Sequence, residues 1–213
     1  MNPSLGRKVL VVGAHPDDLE MNAGGTIHKL ARHNAEVVTV CLTTHSQNNG
    51  VRLSEARAAQ RHLGVADTQF LDGVDTKLHL LKSQLIEQLD GVVKRERPTT
   101  VVTHYHGDTH QDHVTAYEVV AAAARNVQNM LLFKPTFPSG RCDIPFHPNY
   151  VCLLSEEDMR AKMMAMSEFK SQSVKYGDDA WLHALNAMAK GNAWEYGGVH
   201  GFAEVFQVSR LIA

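Results

Sequence analysis

Cysteine is scarce in this chain, with three residues in 213, at Cys41, Cys142 and Cys152. An odd number without clustering excludes a disulfide framework and a cysteine-based metal site, and Cys41 and Cys152, inside apolar runs, read as buried reduced thiols. No apolar run approaches the roughly 18 residues that a membrane span needs. Met1-Asn2-Pro3-Ser4 lacks the apolar region of a secretory signal, so a cytoplasmic protein is expected. Neither sign of charge dominates: 21 Lys and Arg stand against 23 Asp and Glu, for a net charge of -2. The basic stripe of a nucleic-acid-binding protein is therefore missing. Repeats, linkers and low-complexity segments are missing too. What is present is an apolar content of 44%, enough for the core of one domain over residues 1–213, and 13 histidines, several of them bunched between residues 104 and 113.

The run Lys8-Val9-Leu10-Val11-Val12-Gly13 has no polar alternation and predicts a strand buried on both faces of a parallel sheet. Ala14-His15-Pro16-Asp17-Asp18-Leu19-Glu20 follows at once. Pro16 fixes its own φ and biases His15 toward extended backbone. An imidazole and carboxylates crowded onto the end of a buried strand are costly unless a cation or a substrate satisfies them. In open α/β sheets the carboxyl ends of the strands are where ligands bind.

Further on, Asn22-Ala23-Gly24-Gly25 reads as a turn, and residues 26–33 have helical spacing. Residues 36–42 read as a strand, 43–50 as a polar loop, and 52–63 as a helix closed by Gly64. Residues 68–71 read as a short strand ending in the turn signal Asp72-Gly73. A long amphipathic helix over 78–95 precedes a buried strand at 99–103, the histidine-rich loop 104–113 and a helix at 114–125. Strands are expected at 130–133, 150–154 and 203–208, and helices from Ser155 to about Phe169 and over 180–190. Ser155 with Asp158 resembles a capping box. Met159, Met163, Met164 and Met166 read as core filler rather than a ligand set. The loops 135–148 and 191–201 are long enough to read as substrate walls. Alternating strands and helices imply a Rossmann-like, three-layer αβα sandwich with a mainly parallel sheet and its site at the carboxyl ends of the strands.

His15 and Asp18 form an H-x-x-D pair after one buried strand. Alone, the pair reads equally well as a helix-capping Asp beside a solvated His. His104, His106, Asp108, His110, Asp112 and His113 crowd after another strand, and a doubly wound sheet brings both loops to one edge. Two His and one carboxylate with an open position make a competent catalytic zinc site, and the same donors suit iron(II). A metal in such a site lowers the pKa of its bound water to about 7. A neighbouring carboxylate takes the proton, and an imidazole or the metal meets the oxyanion. His104 reads as a spectator or a substrate contact, and Arg52 as a ligand for a sugar hydroxyl or phosphate or as a surface salt bridge.

The residues Ala14-His15-Pro16-Asp17-Asp18-Leu19-Glu20, Gly24-Gly25 and His110-Gln111-Asp112-His113 resemble the LmbE-like (PIG-L) family of metal-dependent N-acetylglucosaminyl deacetylases. Gln111 stands where the family's second motif usually has Pro. Arg52-Leu53-Ser54-Glu55 with Leu63-Gly64, then Ser171-Gln172 and Ala203-Glu204-Val205-Phe206, extend the resemblance over most of the chain. It implies a zinc ligand set of His15, Asp18 and His113, with iron(II) or another divalent ion as alternatives. It implies Asp17 as general base, His110 as the oxyanion-stabilising or leaving-group residue, and Asp112 as the carboxylate that orients an imidazole; an Asp on the far nitrogen of a protonated His110 would keep that ring charged. Arg52 and His104 are the candidate substrate contacts.

The function expected is removal of an N-acetyl group from an amino sugar or its conjugate, such as a soluble glycoside, an aminoglycoside-type antibiotic intermediate or a sugar-thiol precursor. The lack of a membrane span disfavours a membrane-anchored glycolipid enzyme. A homo-oligomer is compatible with everything above. The competing reading, a nucleotide- or sugar-binding α/β domain without hydrolysis, lacks the G-x-G-x-x-G turn and the phosphate-loop Lys. A metal-binding protein that has lost catalysis is a third reading, against which the presence of both Asp17 and His110 speaks.

Overall fold

A computed structural model of the chain describes residues 5–45, 49–66, 68–136, 140–177 and 179–212. The strands are β1 (Lys8–Gly13), β2 (Glu36–His45), β3 (Gln69–Val74), β4 (Thr100–Thr103), β5 (Asn129–Phe133), β6 (Tyr150–Leu154) and β7 (Phe202–Arg210). The helices are α1 (Asp18–Arg32), α2 (Asn49–Leu63), α3 (Lys82–Glu96), α4 (Gln111–Ala123), α5 (Glu156–Ser167), α6 (Lys170–Ser173) and α7 (Ala180–Gly197). The strands form one sheet in the order β3-β2-β1-β4-β5-β7-β6. The first five are parallel, and β7 runs antiparallel to both its neighbours. The unbroken apolar run of β1 has a direct cause. Val9 and Val11 pack with α1, α2, α5 and α7 on one face, while Leu10 and Val12 pack with α3 and α4 on the other. The strand order reverses between β1 and β4, which opens a crevice at their carboxyl ends.

Several elements depart from the sequence reading. Asn22-Ala23-Gly24-Gly25 is not a turn but the interior of α1. Its glycines serve close packing: a Cβ on Gly25 would overlap Leu154 of β6, and one on Gly24 would press on the Lys162 side chain of α5. Asp72-Gly73 lies inside β3, because Gly73 runs against the carbonyl of Leu42 where a side chain would not fit. β2 continues through His45, and residues 46–48 of the expected polar loop lie outside the described residues. The helix expected over 78–95 starts as a 3-10 turn at Leu78–Leu81. α7 continues to Gly197, so most of the expected loop 191–201 is helical. The segment after α5 breaks at Phe169 and continues as α6 and a 3-10 turn at Val174–Tyr176. Ser155 and Asp158 do form the capping box of α5. Met159 and Met166 are buried in the core, whereas Met164 is exposed.

β7 fixes α1 by a buried ion pair. Lys162 Nζ lies 2.6 Å from Glu204 Oε1 and donates to the Met21 carbonyl at 2.7 Å. Glu204 accepts the backbone N–H groups of Gly25 (3.0 Å) and Thr26 (2.7 Å). The two charges thus satisfy each other and bind to the backbone of the helix whose first turn enters the crevice.

Candidate active site

The crevice holds a cavity of about 220 Å³ lined by His15, Asp17, Asp18, Met21, Arg52, Asp75, His110, His113, Gln172, Lys175 and Tyr176. The turn after β1 delivers His15 and Asp17, and α1 opens on Asp18. The loop after β4 and the first turn of α4 deliver His110, Asp112 and His113. The two sequence clusters therefore meet, as their placement after neighbouring parallel strands requires.

Asp18 stands at the centre. Its Oδ2 accepts the His15 N–H at 2.7 Å and lies 3.4 Å from His15 Nδ1, while Oδ1 lies 3.5 Å from His113 Nε2. Burial pushes the Asp18 pKa upward, but the imidazoles of His113 and His104 outweigh it and hold the group well below the usual carboxylate range. Burial likewise opposes charge on His113, yet Asp18 and Asp108 raise it to about 9. His15 is raised well above 6.5 because Asp112, Asp18 and Asp75 outweigh its burial.

The site is built for a cation. Asp17, Asp18, Asp75, Asp108 and Asp112 crowd the site, and the half-buried guanidinium of Arg52 stands against Asp17 and Asp75. His113 Nε2 is buried and has no hydrogen-bond partner among the described residues. Ligand atoms of His15, His110 and His113, and of Asp18, His104 and His113, lie within 4.8 Å of one another in each set. Neutral imidazoles and carboxylates in that arrangement fit a divalent metal ion.

Asp17 takes the N-cap position of α1, but its side chain makes no capping bond. Its backbone is left-handed, with φ of 109°, a strained conformation for a non-glycine residue. The capping alternative concerned Asp18, which is the first helical residue, not the cap, and turns its carboxylate to His15 and His113. Asp17 Oδ2 lies 3.2 Å from Arg52 Nη2, which also donates to the Pro16 carbonyl at 2.6 Å. Burial raises the Asp17 pKa to about 6 against the opposing charge of Arg52. Arg52 is thus a half-buried partner of Asp17 on the cavity wall, not an exposed surface salt bridge.

Two expectations change. Asp112 does meet an imidazole, and that imidazole is His15 rather than the charged His110 expected. Its Oδ2 lies 3.1 Å from His15 Nε2 and accepts the Thr76 N–H at 2.6 Å. His110 instead caps α4: its Nδ1 accepts the Asp112 N–H at 3.2 Å. Burial, with the neighbouring His113 and His15, lowers its pKa, so His110 is neutral and presents Nε2–H as a donor. The sequence could not show this, because Asp112 is two residues from His110 but meets His15 only through the fold. His104 is not a substrate contact. It lies outside the cavity lining, beneath Asp18, with Nε2 3.1 Å from Asp18 Oδ2 and its ring stacked on His113 at 4.0 Å. Burial lowers its pKa to about 4.

The loops expected as substrate walls do not line the cavity within their described residues. Gln172, Lys175 and Tyr176 do, held by Glu55, which accepts the N–H (2.9 Å) and hydroxyl (2.6 Å) of Ser171. Ser171-Gln172 and Glu55 carry sequence resemblance, but nothing in their spacing announces a wall. Asp75 was also missed: its Oδ1 lies 3.3 Å from His15 Nε2. Its place directly after β3 was the available signal.

Residues 10–124 match the family model described as PIG-L, GlcNAc-PI de-N-acetylase. The chain is 31% identical over 171 residues to the uncharacterized deacetylase YaiS of Escherichia coli, covering 76% of this chain and 90% of that one. It spans about half the length of the 1D-myo-inositol 2-acetamido-2-deoxy-alpha-D-glucopyranoside deacetylases that it matches, 55% for that of Mycobacteroides abscessus at 29% identity. Among solved structures, the zinc-inhibited form of teicoplanin deacetylase Orf2 superposes with a TM-score of 0.79 at 18% identity, covering 94% of this chain and 97% of that one. GalB, a 4-carboxy-2-hydroxymuconate hydratase from Pseudomonas putida, superposes at 0.83 and 20% identity over 97% and 98%. Both likenesses are of fold.

Proposed function

The chain belongs to the PIG-L (LmbE-like) family, and from that premise we propose that it is a divalent-metal-dependent N-deacetylase acting on an N-acetylglucosamine-type sugar or its soluble conjugate. The observation that carries this reading is Asp17: a buried carboxylate, released from capping, held by Arg52 beside the histidine and Asp18 donors. His15, Asp18 and His113 would hold the ion, with zinc as the favoured metal and iron(II) the alternative. When bound, such an ion activates water and polarises the amide carbonyl.

The residues of the chain supply the rest. Asp17, with its pKa raised to about 6, accepts the proton of the attacking water and then returns it to the departing amine. His110 donates Nε2–H to the oxygen that becomes negative as the carbonyl carbon turns tetrahedral. A neutral donor suffices there, so the charged His110 of the sequence reading is not required. Asp112 fixes the His15 ring, and Arg52 holds Asp17 while facing the cavity. The cavity is smaller than the roughly 300–1,000 Å³ usual for drug-sized ligands, which suits one sugar residue with its aglycone outside.

No helix among the described residues is long and apolar enough to cross a membrane. The reading treats residues 1–213 as one domain and places the protein in the cytoplasm, supported by the buried free thiols of Cys41 and Cys152. The test is a screen of N-acetylated amino sugars and their conjugates on metal-loaded protein, scored by mass loss of one acetyl group and by amine release. Tight binding without loss of acetyl from any of them would favour the sugar-binding alternative.

A further inference from the structure

Asp108 is buried directly behind His113, on the side of the ring away from the cavity. Its Oδ2 lies 2.8 Å from His113 Nδ1. Its other oxygen accepts the N–H of His110 at 2.9 Å. A carboxylate on Nδ1 keeps the proton of the neutral ring, the form that ligates a metal, on that nitrogen; the lone pair is then on Nε2, which faces Asp18 and is buried with no hydrogen-bond partner among the described residues. The segment 140–144 is laid over Asp108. Thr109 N–H donates to the Arg141 carbonyl at 2.9 Å, Asp143 N–H donates to the Gly107 carbonyl at 2.8 Å, and Asp108 bridges to Cys142. Gly140 seats against the carboxylate so closely that a Cβ there would overlap both oxygens.

We infer that Asp108 is a positioning residue that sets the tautomer and aim of His113, and that the segment following Gly140 acts on the metal site by clamping Asp108. The inference rests on the proposed metal reading. It gives the long loop a role other than that of substrate wall: it presses on the carboxylate behind a ligand. Gly140 is required because only a residue without a side chain lets the backbone reach that carboxylate.

The test compares zinc affinity by competition with a chromogenic chelator for the whole wild-type chain and for Asp108→Asn, Asp108→Ala and Gly140→Ala, with metal-free melting measured alongside. Asp108→Asn keeps an oxygen acceptor and loses the charge, and Asp108→Ala loses both. Zinc affinity should fall in that order, by about 10- to 100-fold for the loss of such a partner. Gly140→Ala, which touches no ligand, should weaken zinc in the same direction. Nitrogen-15 spectra of the zinc-loaded wild type should show a strongly hydrogen-bonded His113 Nδ1–H that is lost in Asp108→Ala. Zinc affinity equal to wild type in Asp108→Asn and Asp108→Ala would overturn the inference and leave the deacetylase reading standing. Unchanged affinity in Gly140→Ala would overturn the clamp. A wild-type chain that binds no zinc or iron(II) would overturn the metal reading and this inference with it. Should Asp108→Ala fail to fold, Asp108→Asn and the wild-type spectrum decide.

Discussion

Asp112 Oδ2 stands 3.1 Å from His15 Nε2, on the edge of the ring opposite the one that faces Asp18. This contact, with that of Asp75 Oδ1 to the same nitrogen at 3.3 Å, turns His15 Nδ1 toward the centre of the site. It is anchored from outside, since Asp112 also accepts the N–H groups of Thr76 (2.6 Å) and Leu78 (3.4 Å) in the turn after β3. With Asp108 behind His113, each of the two candidate imidazole ligands has a carboxylate at its far nitrogen, one from the loop after β4 and one from the first turn of α4.

The ligand set is separable from its neighbour. His113→Ala should lose most of the bound metal, while His110→Ala should keep close to one equivalent per chain and lose turnover by roughly 10²-fold, as for removal of an oxyanion donor. Elemental analysis of both variants checks it. Metal loss in His110→Ala would move that residue into the ligand set, which its proximity to His15 and His113 allows.

Asp17→Asn keeps the size of the side chain and removes its basicity. Metal content and substrate binding should survive, and kcat should fall by roughly 10²-fold or more. In the wild type the base must be ionised, so kcat/KM should climb with pH and level off above about 6, where burial against the charge of Arg52 sets this carboxyl. Steady-state profiles of the two proteins check both points. A metal-loaded Asp17→Asn enzyme of near wild-type activity would sink the assignment.

Glu20 is buried beneath the site, and burial raises its pKa to about 8. Its Oε1 accepts from Gln60 Nε2, while its Oε2 has no hydrogen-bond partner among the described residues. The folded chain therefore holds the Glu20 proton more tightly than the unfolded one, whose carboxyl titrates near ~4.3. The stability this gives is full below that value and is lost as pH rises through about 8. Melting of the metal-free wild type should fall over this window, and Glu20→Gln should flatten the fall. Parallel curves for the two proteins would contradict it.

Glu204→Ala should destabilise the fold by about 3–5 kcal/mol, because it strands the buried ammonium of Lys162 and frees two backbone N–H groups of α1. Replacing both charges by methionine should recover much of the loss. Chemical denaturation of the three proteins measures it.

Lys175 lines the cavity from an exposed position, its ammonium 4.9 Å over the Tyr176 ring. Lys175→Ala should raise KM by about 3- to 10-fold and leave kcat near wild type, the pattern of a contact made equally in ground and transition states. A kcat loss as large as that of His110→Ala would bring this wall into the chemistry.

Much of the architecture followed from local pattern. Unbroken apolar runs such as Lys8–Gly13 and Thr100–Thr103 can be covered only by helices on both faces, and that fixes a parallel, doubly wound sheet with its crevice beside β1. The same logic brought His15-Pro16-Asp17-Asp18 and His110-Gln111-Asp112-His113 together, because both follow neighbouring strands. Tertiary structure decided what depends on contacts distant in sequence. Gly24 and Gly25 look like a turn until Lys162 and Leu154 press on them, and the helix then continues because glycine alone leaves room. Asp112 is adjacent to His113 and two residues from His110, yet it serves His15, 97 positions away. The cavity wall at Gln172–Tyr176 and the lowered pKa of His110 have no local signature at all. A side chain's type is written in the sequence, but its partner, its burial and hence its protonation are set by what the fold packs against it.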